Sequence, residues 1–187
     1  MSLSPIKQEI LEAILLSDKP VGAVDIAREV HKDFQPVMGH LLGLKKNGYI
    51  TLPEKGLFII TEKGKQALGL PEITKEKAEA ILAYSPHDKA FNFYLDIGKP
   101  LNLHAHNLRD FAVKIEKTDV ISVEFHTKRG DFEAWLKELG DEELAKKASL
   151  LKKRNVLGEE LRKQLADMAM QRYVFLAKLA GQPVYTD

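Results

Sequence analysis

Gln35-Pro36-Val37-Met38-Gly39-His40-Leu41-Leu42-Gly43-Leu44-Lys45-Lys46-Asn47-Gly48-Tyr49-Ile50 is the stretch on which the fold turns. Val37, Leu41 and Leu44 recur at i, i+4 and i+7, so a helix here has one apolar stripe to bury and one side free. Gly48 supplies the left-handed residue that ends such a helix, and Tyr49-Ile50 starts a β-prone run. The free side carries Gln35, Gly39, His40 and Gly43.

The neighbours of this stretch complete a module. Upstream, Pro5 to Leu16 places Ile6, Ile10 and Ile14 on one helical face with Leu11 and Leu15 beside them, and Val24 to Val30 makes a shorter helix with Ile26, Ala27 and Val30 inward. Downstream, Tyr49 to Leu52 and Leu57 to Ile60 flank Pro53-Glu54-Lys55-Gly56, a turn composition, and so predict a hairpin. Thr61 can cap a further helix through Leu68, which Gly69 and Pro71 stop.

In this order of elements, residues 5–70 resemble the winged helix-turn-helix domain of prokaryotic transcriptional regulators. The pattern that carries the resemblance is Val37-Met38-Gly39-His40-Leu41-Leu42-Gly43-Leu44, then Gly48-Tyr49-Ile50, then Thr61-Glu62-Lys63-Gly64. The resemblance implies a recognition helix in the major groove of double-stranded DNA. Gln35, Gly39, His40 and Gly43 would then face the bases, and Arg28, Lys32, Lys46 and Lys55 the phosphates. Gln35 and His40 can bond to base edges, whereas Gly39 and Gly43 can only permit close approach.

Charge gives this reading no help from afar. The chain has 28 Lys plus Arg against 27 Asp plus Glu, a formal +1, and residues 1–72 hold nine of each sign. Duplex binding therefore needs a local basic patch. A winged helix that serves protein contacts only is the alternative for a neutral domain.

Length and punctuation divide the rest. Residues 1–72 form the first domain, 73–86 a connector in which Thr74 caps a helix through Ala83, and 87–187 a mostly helical second domain. The expected class is mainly α with short β, a winged helix followed by helices and one hairpin. There is no cysteine, which removes disulfides and thiolate sites, and no long apolar run or signal-peptide pattern. A cytoplasmic chain without a membrane partner is the default expectation.

In the second domain Ala90 to Leu95 reads as a strand, broken by Gly98-Lys99-Pro100 before Leu101-Asn102-Leu103. Asn107 can cap a helix that buries Leu108, Phe111, Ala112 and Ile115. Residues 119–126 fit either a strand, by the alternation of Ile121, Val123 and Phe125, or a helix capped by Asp119, which we favour. Asp131 is the expected cap of a helix burying Phe132, Trp135, Leu136 and Leu139, Gly140 ends it, and Asp141 caps the next one through Lys153. Glu124-Phe125-His126, Arg129-Gly130-Asp131-Phe132 and Trp135, preceded by Phe91-Asn92-Phe93-Tyr94, resemble an uncharacterised prokaryotic domain family, and that likeness implies relatedness but no chemistry.

Three sets of residues in this half are candidates for function. His126, Arg129 and Asp131 form an anion-binding or acid/base trio for a small ligand, unless Asp131 merely caps a helix. His87, His104, His106 and His126 have the residue type, though not the motif, of a metal site, with solvated histidines as the plainer reading. Leu161, Leu165, Met168, Arg172, Phe175 and Leu179 make a near-heptad stripe on a helix from Gly158 to about Ala180. That stripe packs inside its own domain or across a homodimer that would set two winged helices on a palindrome.

No phosphate loop, nucleophile elbow or paired-carboxylate motif is present, so the expectation is not an enzyme and no cofactor is called for. The leading expectation is a transcription regulator whose second domain senses a ligand or mediates assembly. A protein-interaction adaptor follows, and a metal-dependent hydrolase is last.

Overall fold

The computed structural model describes residues 3–185, and the chain separates into two compact units, Met1–Glu72 and Ile73–Asp187. It is mainly helical with short antiparallel strands. Among the described residues no helix is long and apolar enough to cross a membrane.

The first unit runs α1 (Pro5–Ser17), β1 (Val21–Gly22), α2 (Ala23–Glu29), α3 (Phe34–Lys46), β2 (Ile50–Glu54), β3 (Leu57–Ile60) and α4 (Glu62–Ala67). Strand β3 lies between β1 and β2, both antiparallel to it, with Val21 opposite Phe58 and Ile50 opposite Ile60. The apolar stripes close on one core: Ile10, Leu11 and Ile14 of α1, Ile26 of α2, and Val37, Leu41 and Leu44 of α3 meet Ile50 and Phe58. Each such side chain contributes about 1.5–3 kcal/mol relative to exposure, so α3 is held by its buried face and its other face is unconstrained.

The hairpin differs from expectation in its turn. Glu54 pairs with Leu57, which leaves Lys55-Gly56 as the loop, while Pro53 and Glu54 stay in β2. Pro53 has no N–H to donate, and it is accommodated because β2 is an edge strand whose register shifts between Thr51 and Glu54. Thr61 then ties the hairpin to α4: its hydroxyl accepts from the Gly64 N–H at 3.1 Å and donates to the Gly48 carbonyl at 2.7 Å. Gly64 is required by proximity, since a Cβ there would lie 2.2 Å from the Tyr49 carbonyl oxygen and 2.6 Å from Ile60 Cγ1.

The second unit comprises α5 (Lys75–Leu82), a single 3-10 turn at His87–Lys89, β4 (Phe91–Asp96), β5 (Lys99–Ala105), α6 (Leu108–Lys117), α7 (Val120–Arg129), α8 (Asp131–Glu138), α9 (Glu142–Lys153) and α10 (Gly158–Ala180). The stretch read as a connector contributes α5 to this unit, where Ala78 and Ile81 are buried and α5 lies along α10. Thr74, Asn107, Asp119 and Asp141 cap α5, α6, α7 and α9 through side-chain oxygens on backbone N–H groups. Residues 119–126, ambiguous by pattern, are helical, and Ser122, Val123, His126 and Thr127 form the buried side of α7.

Two expectations for this unit are corrected. Asp131 does not cap α8: Gly130, at φ 79, occupies the cap position, and Asp131 is the first helical residue with its carboxylate engaged elsewhere. The stripe on α10 is not one surface. Leu161, Leu165, Met168 and Arg172 are buried within the unit, so they are core rather than dimer interface, whereas Phe175 and Leu179 are 48% and 36% exposed. The stripe splits because a seven-residue pattern drifts around a helix of 3.6 residues per turn, so the buried side passes to Tyr173, Leu176, Ala177 and Ala180 beyond Arg172, which carboxylates of α9 and of the loop before it hold inside. Its Nε donates to both oxygens of Asp141 at 3.1 and 2.9 Å, and its Nη1 donates to Glu143 at 2.9 Å. Lys147 approaches the other Glu143 oxygen at 3.3 Å.

Candidate functional site

On the first unit, the side of α3 opposite its core face presents the residues singled out by sequence. Gln35 and Gly39 are exposed, and His40 and Gly43 are half-buried. A Cβ added at Gly39 or Gly43 would meet nothing within 4 Å, so the backbone of α3 is bare along that line. Lys32, Lys46 and Lys55 are exposed and, among the described residues, pair with no carboxylate; Lys45, which the sequence reading passed over, behaves likewise. Arg28 is exposed but bonded to Asp25 at 3.2 Å, a solvent-facing i,i+3 pair of the kind worth about 0–1 kcal/mol and readily exchanged. Lys63 holds the hairpin base to the end of α3, its ammonium donating to the Asn47 carbonyl at 2.8 Å and lying 5.1 Å from the Tyr49 ring centroid.

On the second unit, His126, Arg129 and Asp131 are brought together. Asp131 Oδ2 accepts from His126 Nδ1 at 2.8 Å and from Arg129 Nε at 3.1 Å. The opposite ring nitrogen of His126, Nε2, accepts from the Tyr94 backbone N–H of β4 at 2.9 Å. With one nitrogen donating and the other accepting, the imidazole is the neutral Nδ1–H tautomer, and neither nitrogen is left for a substrate proton or a metal. Burial holds its pKa below the ordinary histidine value despite the nearby Asp131 carboxylate, which pulls the other way, and Arg129 adds to the lowering. Of the trio, then, His126 is the anchor, and Arg129 and Asp131 carry what the site can offer.

The trio borders a cavity of about 450 Å³ contained within this unit. Its walls are largely aromatic: Phe91 and Tyr94 from β4, Phe125 from α7 and Trp135 from α8, with Ile97 and Gly98 of the hairpin turn at the rim. Phe91 and Trp135 stand 5.7 Å apart by ring centroid, and the Arg129 guanidinium lies 5.2 Å from the centre of the Phe125 ring. Trp135 Nε1 is satisfied by the Lys89 carbonyl at 2.9 Å, so its ring is fixed. Sequence reading placed Trp135 in the core, which is right for its 6% exposure, but missed that it also closes a cavity. The signal that could have found it is the recurrence of aromatic residues on both sides of the trio.

The other three histidines of the second unit gather separately. His87 and His104 are 4.7 Å apart and His87 and His106 6.2 Å apart by ring centroid, with Tyr84 stacked on His106 at 4.8 Å. His106 Nδ1 donates to the Ser85 carbonyl at 2.9 Å, and His104 Nδ1 donates to Asn92 Oδ1. Burial, then the charges of His87, His106 and Lys114, lower the pKa of His104. Among the described residues no group of three His, Cys, Asp or Glu side chains is arranged to hold a metal ion. His87 meets His104 edge-on and His106 at a tilt, and His126, the fourth histidine of the metal reading, has spent both nitrogens.

No protein-family model, curated protein or solved structure matches the chain.

Proposed function

We propose that the protein is a DNA-binding transcription regulator in which the first unit acts as a winged helix and the second as the sensing or assembly module. The observation that carries this reading is a set of four exposed, unpaired lysines in a neutral unit, two of them at the end of α3. Lys32, Lys45, Lys46 and Lys55 are exposed and pair with no carboxylate among the described residues; Lys45 and Lys46 close the last turn of α3, whereas Lys32 and Lys55 each adjoin an exposed carboxylate, Asp33 and Glu54. Lys45 and Lys46 give the end of α3 local positive charge within a balanced total, and local positive charge is what phosphate neutralisation requires. The order of three helices, hairpin and short helix supports the same reading, with α3 entering the major groove and Lys55 at the hairpin tip meeting the backbone.

The test is fluorescence anisotropy of the full chain on a random-sequence duplex across a salt series. The expected result is salt-dependent binding, and Lys32→Glu with Lys46→Glu lowers the log–log salt slope by about 2, one for each lost phosphate contact. No binding at low salt, or binding indifferent to these charges, removes the proposal.

The second reading is an adaptor, and it is favoured by Phe34 and Leu42, which are 43% and 54% exposed on α3. Exposed apolar side chains on a helix suit a protein groove better than a phosphate surface. Phe34→Ser with Leu42→Ser leaves duplex binding unchanged if α3 reads DNA through Gln35 and the lysines, and abolishes partner capture if it does not.

A further inference from the structure

The 450 Å³ cavity of the second unit is of a size that takes small organic ligands, and it lies apart from the chemistry argued for the first unit. Its polar inventory is short enough to work through. His126 is consumed at both nitrogens, and Asn92 is consumed by His104 and by the Ala90 carbonyl at 3.1 Å. Asp96 faces solvent in the hairpin turn, one oxygen accepting from the Ile97 N–H at 2.7 Å and the other balanced by Lys99 in a loose ion pair at 3.7 Å. Besides the Tyr94 hydroxyl, which can donate or accept and so selects no ligand by itself, what remains are the Nη groups of Arg129 and the Oδ1 of Asp131, which make no hydrogen bond among the described residues. They belong to side chains already joined through Nε and Oδ2, so a donor edge and an acceptor atom are held side by side.

We infer that this cavity binds an uncharged planar ring bearing an N–H next to a C=O, the cyclic-amide edge of an oxopurine or pyrimidinone. Charge decides against the alternatives. A carboxylate ligand has to share one guanidinium with Asp131, placing two anions on a single cation, and a cationic ligand meets Arg129 as it enters. A neutral ring meets neither objection: its carbonyl accepts from Arg129 Nη while its N–H donates to Asp131 Oδ1. Both bonds are charge-assisted on the protein side, which strengthens them. The walls suit the same ligand, because Phe91, Tyr94, Phe125 and Trp135 offer faces and edges for a flat ring, and stacking on aromatics is indifferent to the particular heterocycle. His126 contributes by position: bonded to β4 on one side and to Asp131 on the other, it ties the carboxylate to the strand that supplies Phe91 and Tyr94 to the cavity. It is a positioning residue and touches no ligand proton.

Trp135 is the only tryptophan of the chain and lies in the wall, so its fluorescence reads the cavity directly in the full-length protein. Hypoxanthine is the probe, with purine lacking both groups of the edge, 1-methylhypoxanthine lacking the N–H alone, and benzoate as an aromatic anion. The expected result is saturable quenching by hypoxanthine at sub-millimolar concentration, with both purine controls binding at least roughly tenfold more weakly. Arg129→Met, at a half-exposed position where folding is not at stake, weakens hypoxanthine by a similar factor and leaves purine unchanged. Arg129→Lys does not restore it, because an ammonium lacks the fork. Equal affinity for the three purines, no saturable quenching by any of them, hypoxanthine binding unaltered in Arg129→Met, or benzoate binding more tightly than hypoxanthine each overturns the inference.

Discussion

Replacing Arg172 by Met tests the assignment of the α10 stripe, because the core role and the interface role predict different observables. In the second unit the guanidinium gives three hydrogen bonds to two carboxylates, and Asp141 is fully buried. Met fills much of the volume and removes the charge. Among the described residues Asp141 then keeps only the Leu144 N–H at 3.1 Å, and Glu143 keeps Lys147. Hydrogen bonds to charged groups are worth roughly 1.5–3 kcal/mol each, but the desolvation of the arginine is recovered, and breaking a buried pair by removing one partner costs about 3–5 kcal/mol in comparable cases. We expect about 4 kcal/mol. For a urea m-value of about 2 kcal/mol per molar, that moves the midpoint of the second unit down by roughly 2 M. Trp135 fluorescence reports this unit alone, and the midpoint shift is independent of protein concentration. Asp141→Asn combined with Arg172→Met regains part of the loss, since no buried anion is then stranded. A midpoint shift under about 0.5 M, or one that appears only as a change in oligomeric mass, refutes the core assignment.

Two further outcomes follow from the geometry. His126 has its folded pKa depressed by burial, so its contribution to stability is complete above its unfolded value of about 6.5 and is lost as pH falls from there toward the folded value, where the unfolded chain binds a proton and the folded one does not. Urea midpoints read through Trp135 therefore drop on acidification across this window, and His126→Gln, which cannot titrate, flattens that part of the profile; an identical slope in the variant counts against the buried neutral imidazole. In the first unit Gly64→Ala places a methyl 2.2 Å from the Tyr49 carbonyl oxygen, so the hairpin or α4 has to shift at a cost of about 3 kcal/mol or more, whereas Thr61→Ala at the cap costs about 1 kcal/mol. Thermal melts by circular dichroism rank the two, and Thr61→Ala proving the worse disproves the close-approach argument.

What could be read from the chain was whatever is written locally. Stripes such as Val37, Leu41 and Leu44, and caps such as Thr61, Thr74, Asn107, Asp119 and Asp141, depend on neighbours within a few residues, and the elements stand where these signals put them. Strand β1 was not legible, because two residues have no period; Val21-Gly22 is a strand only because β3 supplies its partner. Asp131 was misread for a related reason. An aspartate before an apolar run looks like a cap, and only the fold shows that Gly130 takes that position and frees the carboxylate for His126 and Arg129. The inward turn of Arg172 is likewise invisible in a list of charges, since a buried arginine and a solvated one are spelled the same way. The trio and Trp135 were visible as residues, but not as neighbours of β4, because Tyr94 and His126 are 32 positions apart.

The bond from the Tyr94 N–H to His126 has one more effect, on how the molecule meets others of its kind. A two-stranded ribbon is marginal alone and presents unsatisfied backbone on its outer side, where a further chain can add. In β4 the ladder position at Tyr94 is already filled by an imidazole, delivered from a helix that covers the strand. A side chain thus stands in for a third strand, completing the ribbon's hydrogen bonding at that point and denying it to a foreign strand.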